Sequence, residues 1–128
     1  MSSLPLRAIG IAVGVVVATM LGCDSPETTA PPPAPEGTDA VVIGSDAFEF
    51  IPNEVEIPAD GASIALQCEQ SLPHNFEVEL PDGDRRVVEC AGGETSVGEV
   101  DLPAGTYVFF CSIPGHRQAG MEGQLRVG

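Results

Sequence analysis

Cys111, His116 and Met121 stand at successive intervals of five in the run Phe109-Phe110-Cys111-Ser112-Ile113-Pro114-Gly115-His116-Arg117-Gln118-Ala119-Gly120-Met121. Upstream, Leu72-Pro73-His74-Asn75 supplies a second histidine. A thiolate, two imidazoles and a thioether are the donor set that suits one copper ion cycling between Cu(I) and Cu(II). Soft sulfur favours the reduced ion, imidazole accepts both, and a weak thioether leaves the geometry between the two preferences. The chain holds only two histidines, and both lie in this pattern. Met121 is the only methionine beyond Met20. A lone histidine or methionine is more often a packing residue than a ligand, whereas four donor groups at loop spacing point to metal. A copper-free structural domain is the alternative.

The elements that must position these residues read as short strands. Candidate strands are Ala40–Gly44, Phe48–Ile57 with a break at Pro52-Asn53, Ser63–Cys68, Asn75–Leu80, Arg85–Glu89, Thr95–Val100, Thr106–Cys111 and Gly123–Val127. In Ser63–Cys68 the even positions are apolar, and in Phe76–Leu80 the polar alternates are acidic; period-two alternation marks strands with one buried face. Asp60-Gly61, Pro81-Asp82-Gly83, Gly92-Gly93 and Pro103-Ala104-Gly105 separate them as turns. The expected fold is all-β, a seven- to eight-stranded antiparallel Greek-key sandwich. Leu102–Tyr107 has the pattern of a tyrosine corner, with an ordinary buried aromatic as the alternative. If Cys111 faces inward, Phe109 and Tyr107 share its face, and Phe110 with Val108 must be covered from outside.

The first part of the chain reads differently. Residues 1–23 combine one positive charge, Arg7, with the apolar run Ala8–Cys23, which is too short to span a bilayer as a helix. They are expected to form an export signal. Cys23, after Met20-Leu21-Gly22, resembles the acylated cysteine of bacterial lipoproteins, although the preceding residues depart from the usual pattern. Cleavage by an ordinary signal peptidase, or an uncleaved anchor, remains open. Residues 24–37, with Pro26, Pro31, Pro32, Pro33 and Pro35, suit an extended semi-rigid linker. Residues 38–128 are left for the folded domain. After the signal, four arginines and no lysine face 19 acidic residues, a side-chain charge of −15. Nucleic acid and anionic lipid are poor partners for such a surface. A basic partner or a saline medium suits it, and solubility alone explains it equally well.

The histidine-bearing Pro-His-Asn segment, Gly93-Glu94-Thr95, Pro103-Ala104-Gly105-Thr106-Tyr107 and the Cys111–Met121 loop together resemble the cupredoxins, the blue copper family of plastocyanin, azurin and auracyanin. The four-residue gaps on either side of His116 are similar to the azurin and auracyanin loop. The resemblance implies a copper ion at one end of the sandwich, bound by His74, Cys111, His116 and axial Met121. It also implies that Asn75 bonds to Ser112, holding the ligand loop whether or not metal is present. Four cysteines allow three complete pairings. With Cys23 acylated and Cys111 on copper, Cys68 and Cys90 remain, and in the cupredoxin topology both sit at the copper end. A disulfide between them is expected outside the cytoplasm, with two buried thiols as the alternative.

The resemblance implies a monomer that carries single electrons between extracytoplasmic redox partners, such as a cytochrome or an oxidase, at the periplasm or cell surface. Membrane contact would run through the lipid anchor alone. Electrons would pass at the His116 edge, within a patch formed by Leu72, Pro73, Ile113 and Pro114. Periplasmic copper storage or delivery is the alternative. Enzymatic activity is not expected. Two histidines cannot build a second copper site, Gly115 stands where a binuclear centre would need a cysteine, and Ser112 has no histidine free to act as its base.

Overall fold

The computed structural model describes Gly22 and residues 30–128. Cys23, the rest of the expected signal and residues 24–29 of the expected linker lie outside the described residues. The described chain forms nine strands: β1 (Ala40–Gly44), β2 (Phe50–Ile51), β3 (Glu54–Ile57), β4 (Ala62–Cys68), β5 (His74–Val78), β6 (Arg85–Cys90), β7 (Thr95–Val100), β8 (Gly105–Phe110) and β9 (Glu122–Val127). A single-turn helix, α1 (His116–Ala119), lies between the last two. One sheet runs β2-β1-β4-β7 and the other β3-β9-β8-β5-β6.

Two features differ from the antiparallel expectation. The sheets are mixed, because β1 pairs β4 in parallel and β3 pairs β9 in parallel. The segment expected as one interrupted strand, Phe48–Ile57, is split between the sheets. Proline lacks the N–H that a continuous ladder needs, so pairing stops at Pro52-Asn53 and the chain crosses over. Period-two alternation marks a buried face, but it carries no information about which strand becomes the neighbour.

Alternation places the core as expected. Ile64, Leu66 and Cys68 on β4, Phe76 and Val78 on β5, Phe109 on β8 and Leu125 on β9 are all fully buried. Burying side chains of this size contributes roughly 1.5–3 kcal/mol each. Phe76 and Phe109 stack with ring centroids 4.2 Å apart and planes 11° apart, and Phe50 tilts onto Phe109 at 5.0 Å. Phe110, on the outward face, is also buried; the Arg117 guanidinium lies 4.1 Å over its ring. Tyr107 Oη donates to the Pro103 carbonyl at 2.7 Å, closing the tyrosine corner.

A disulfide joins Cys68 to Cys90. Cys68 ends β4 in one sheet and Cys90 ends β6 in the other, so the bridge ties the two sheets together. It lies at the pole where Gly44 pairs with Cys68 and His74 pairs with Cys90. With Cys23 replaced by serine, denatured metal-free protein should titrate a single thiol, that of Cys111. Replacing Cys68 and Cys90 by alanine opens a closed loop of sequence separation 22 and should lower stability by about 3 kcal/mol. Calorimetry should show a midpoint lower by about 15 °C; an unchanged midpoint contradicts a bridge that stabilises the fold.

Candidate metal centre

β5 and β8 are hydrogen-bonded antiparallel neighbours, with Glu77 opposite Phe110 and Val78 opposite Phe109. Continuing that register to the pole puts Asn75 opposite Ser112 and brings His74 and Cys111 into one neighbourhood. The inward-facing Phe76 and Phe109 stack directly beneath them. The strand pair is therefore anchored in the core two residues from each ligand.

From Cys111 the chain turns sharply. Gly115 has φ 89°, in the left-handed region that other residues enter only at a cost, and it starts α1. The His116 N–H donates to the Ile113 carbonyl at 3.0 Å, and the Met121 N–H to the His116 carbonyl at 3.2 Å. The Cys111 N–H then donates to the Met121 carbonyl at 3.1 Å, so the loop closes on itself. Within this loop a single helical turn arises because the Ala119 N–H reaches the Gly115 carbonyl at 3.1 Å.

The result is a tight cluster of donors. His74 Nδ1 and His116 Nδ1 are 3.2 Å apart, and Cys111 Sγ lies 3.5 Å from His116 Nδ1. The ligand atoms of His74, Cys111 and His116 all lie within 4.8 Å of one another. Two nitrogens held about 2.0 Å from one ion at a near-tetrahedral angle stand about 3.3 Å apart, and a nitrogen and a sulfur about 3.6 Å. The donor separations therefore fit a single metal ion. His74, Cys111 and Met121 have 1% or less of their surface exposed, and His116 has 7%. Met121 belongs to the core, and its backbone bonds place it beside both Cys111 and His116.

The description "Copper binding proteins, plastocyanin/azurin family" matches residues 38–128. The chain belongs to this cupredoxin family. The four side chains form a type 1 copper site for one copper ion. No curated protein sequence matches the chain. Among solved structures, it is similar to reduced auracyanin from Roseiflexus castenholzii (16% identity, 71% of this chain and 98% of that one, TM-score 0.61). Auracyanin A from Chloroflexus aurantiacus, described as a "blue" copper protein, is similar at 18% identity over 72% of this chain and all of that one (TM-score 0.60). The azurin of Methylomonas sp. strain J aligns at 16% identity over 72% of this chain and 98% of that one (TM-score 0.58). At these identities the likeness is one of fold.

Around the cupredoxin site, Asn75 makes two bonds to the residue after Cys111. Its Nδ2 donates to Ser112 Oγ at 2.9 Å, and its Oδ1 accepts from the Ser112 N–H at 2.8 Å. The Asn75 N–H also points at Cys111 Sγ, 3.5 Å away. A backbone donor aimed at the sulfur helps to hold Cys111 in place from outside the ligand set.

Sequence reading missed several residues that shape the site. The Asp46 carboxylate accepts from the Leu72 N–H at 3.0 Å and the Ser71 N–H at 3.2 Å, pinning the approach to His74. Phe48 packs edge-on to His116 with ring centroids 5.0 Å apart. Its φ is 61°, a conformation that costs a non-glycine residue about 1–2 kcal/mol. Gly44 lies under the His74 ring, where an added Cβ would stand 2.7 Å from Cδ2. Arg117 ties α1 down through Glu79 Oε1 at 2.6 Å and Glu122 Oε2 at 2.8 Å. All are distant in sequence from the ligand they touch, apart from Arg117, and no local motif marks them.

Burial lowers the pKa of His74, and the neighbouring His116 lowers it further, against the opposing fields of Asp46 and Glu69. The neutral ring is the form that binds metal. Because the folded value lies below the ordinary 6.5, the unfolded chain takes up its proton first as pH falls. Folding stability of the copper-free protein should therefore be constant above that value and decline as pH drops through it, until the folded pKa is passed. Denaturant midpoints measured from about pH 7.5 to about pH 5 should show the decline, and His74→Gln should flatten it. Separately, Gly44→Ala should displace the His74 ring. Reconstituted variant should show a shifted visible band and lose copper to a chelator faster than the parent; an identical spectrum and off-rate contradict the close approach.

Proposed function

We propose that the protein is a blue copper electron carrier that passes single electrons between extracytoplasmic redox partners, a cytochrome or an oxidase among the candidates. The observation that carries this reading is the convergence of three buried donors, those of His74, Cys111 and His116, beside buried Met121, on a backbone already closed by its own hydrogen bonds. When bound, copper supplies a one-electron couple. The chain's own residues keep that couple dry and its ligands fixed. Asn75 holds the strand pair together at Ser112, the Cys111–Met121 backbone bond closes the loop, and Phe48 packs against the ring of His116. A site so constrained has little to rearrange when its charge changes by one. The same burial opposes handing the metal to an acceptor, which sets electron transfer above copper storage or delivery.

His116 is the most exposed of the four ligands, and its N–H bonds to Ile113. Half-buried Ile113 and exposed Pro73 line one shallow cavity beside His74, and half-buried Leu72 and exposed Pro114 are their chain neighbours. These apolar residues support electron passage at His116. Both histidines are committed to the metal, and Ser112 Oγ is engaged by Asn75 and Arg86, so neither histidine is free to activate that hydroxyl. That arrangement supports a carrier rather than an enzyme. Among the described residues, no helix is long and apolar enough to cross a membrane. Acylation of Cys23 would provide the attachment.

Copper reconstitution should give one ion per chain and an intense visible thiolate-to-copper band, blue or green. Electron self-exchange, followed by NMR line broadening, should rise with salt as the acidic surfaces of two copies are screened. Ile113→Glu should slow self-exchange by roughly tenfold at low salt while leaving copper content and the visible band unchanged. A rate indifferent to that substitution places the electron path elsewhere, and a colourless, copper-free product overturns the reading.

A further inference from the structure

Residues 30–37, read from sequence as part of a linker, do not project away from the domain. A turn at Pro35–Thr38, closed by the Thr38 N–H and hydroxyl on the Pro35 carbonyl at 3.4 Å and 2.7 Å, reverses the chain just before β1. On one side of the turn, Asp39 bonds to Ser63 at the start of β4. On the other side, the Pro32 carbonyl accepts from Gln67 Nε2 at 3.0 Å, and from Thr95 Oγ1 as well. Gln67 and Thr95 are paired neighbours, one residue from Cys68 and the copper pole.

The chain therefore climbs the outer face of the β2-β1-β4-β7 sheet. From the level of Ser63 to that of Gln67 is four residues of strand, about 13 Å. On that face, Val41, Ala65 and Val97 form one row across three strands. Ala65 is fully buried even though its side chain points out of the sandwich, while Val41 and Val97 keep 41% and 43% of their surface exposed. Pro31 and Ala34 are partly buried in turn. These observations describe a strap laid on the sheet, fastened at its upper end by two side chains.

The geometry points to this strap as a device that makes the tether leave the domain at the copper pole, so that a lipid on Cys23 turns that pole toward the membrane and toward a redox protein seated in it. The membrane half of the inference rests on the reading of Cys23 as the acylated residue. Nine residues separate Cys23 from Pro32, so even a fully extended chain reaches no more than about 32 Å. A linker free as far as Asp39 would instead leave from the opposite pole and reach about 58 Å over its 16 residues. It would leave the orientation of the copper pole unspecified. The strap shortens the leash and moves its origin to the end where electrons pass.

Two measurements separate the halves. In a Cys23→Ser background, nitroxides at Ala30→Cys and at the exposed Gln118→Cys should give one narrow distance distribution. Gln67→Ala with Thr95→Val should broaden and lengthen it; a distribution already broad, or unchanged by the double substitution, overturns the strap. For the second measurement, the full acylated chain is bound to vesicles containing an energy-acceptor headgroup lipid. A fluorophore at Gln118→Cys, beside the copper site, should transfer several-fold more energy than one at Ala104→Cys on the opposite pole. The difference should vanish when Gln67 and Thr95 are substituted. Equal transfer from both poles of the strapped protein overturns the orientation. Failure to associate with vesicles at all removes the acylation reading and the membrane half with it, while the nitroxide distances still decide the strap.

Discussion

Two imidazoles and a thiolate repel water poorly and attract protons well, so holding them within bonding reach of one point requires a scaffold that does not depend on the metal. The hydrogen-bonded junction of β5 and β8 provides it. His74 begins one strand, Cys111 follows the other, and the stacked rings of Phe76 and Phe109 lock the pair from below. Above the last ladder bonds, Asn75 continues the pairing with its side chain, joining Ser112 through both its amide groups. The remaining ligands are referred to this junction: Met121 through the Cys111 backbone, and His116 through the turn between them.

The electrostatics of the site and those of the surface run in opposite directions. Around the ligands, burial lowers the pKa of His74, which favours metal over a proton on that ring, and a backbone N–H faces the sulfur. Acidic groups near the pole are used structurally: Asp46 caps the approach to His74, and Glu79 and Glu122 hold Arg117 over Phe110. Exposed ion pairs of this kind add little stability individually. Arg117 contributes chiefly by covering an outward-facing aromatic that period-two alternation leaves without a core to enter.

The pole that carries the metal is also where the sheets are fastened and where the N-terminal strap ends. The Cys68–Cys90 bridge crosses between sheets there, and the Pro32 carbonyl is held one residue away. A mobile pole would let the ligands drift apart, so concentrating cross-links at this end matches the demand for a fixed donor geometry. The strained backbone of Phe48 belongs to the same pattern. Its unfavourable φ persists because the surrounding turn is bonded to the loop before His74 and its own ring packs on His116.

The donors were legible in the sequence because type and spacing alone mark them: the only two histidines, a cysteine after an apolar strand and the last methionine. Most strands were legible for a similar reason, since alternation reports which face is buried. The partners of those strands were not, because pairing is a long-range choice that period-two patterns leave open. Hence the parallel pairings, the division of Phe48–Ile57 between sheets and the inter-sheet path of the disulfide appear only in three dimensions. So do Gly44 beneath His74, Phe48 against His116 and Pro32 on β4, contacts between residues whose separation along the chain conceals them. Composition and order determined which atoms are offered to the metal; only the packing of two sheets decided how close those atoms stand and on which side of the domain the chain leaves them.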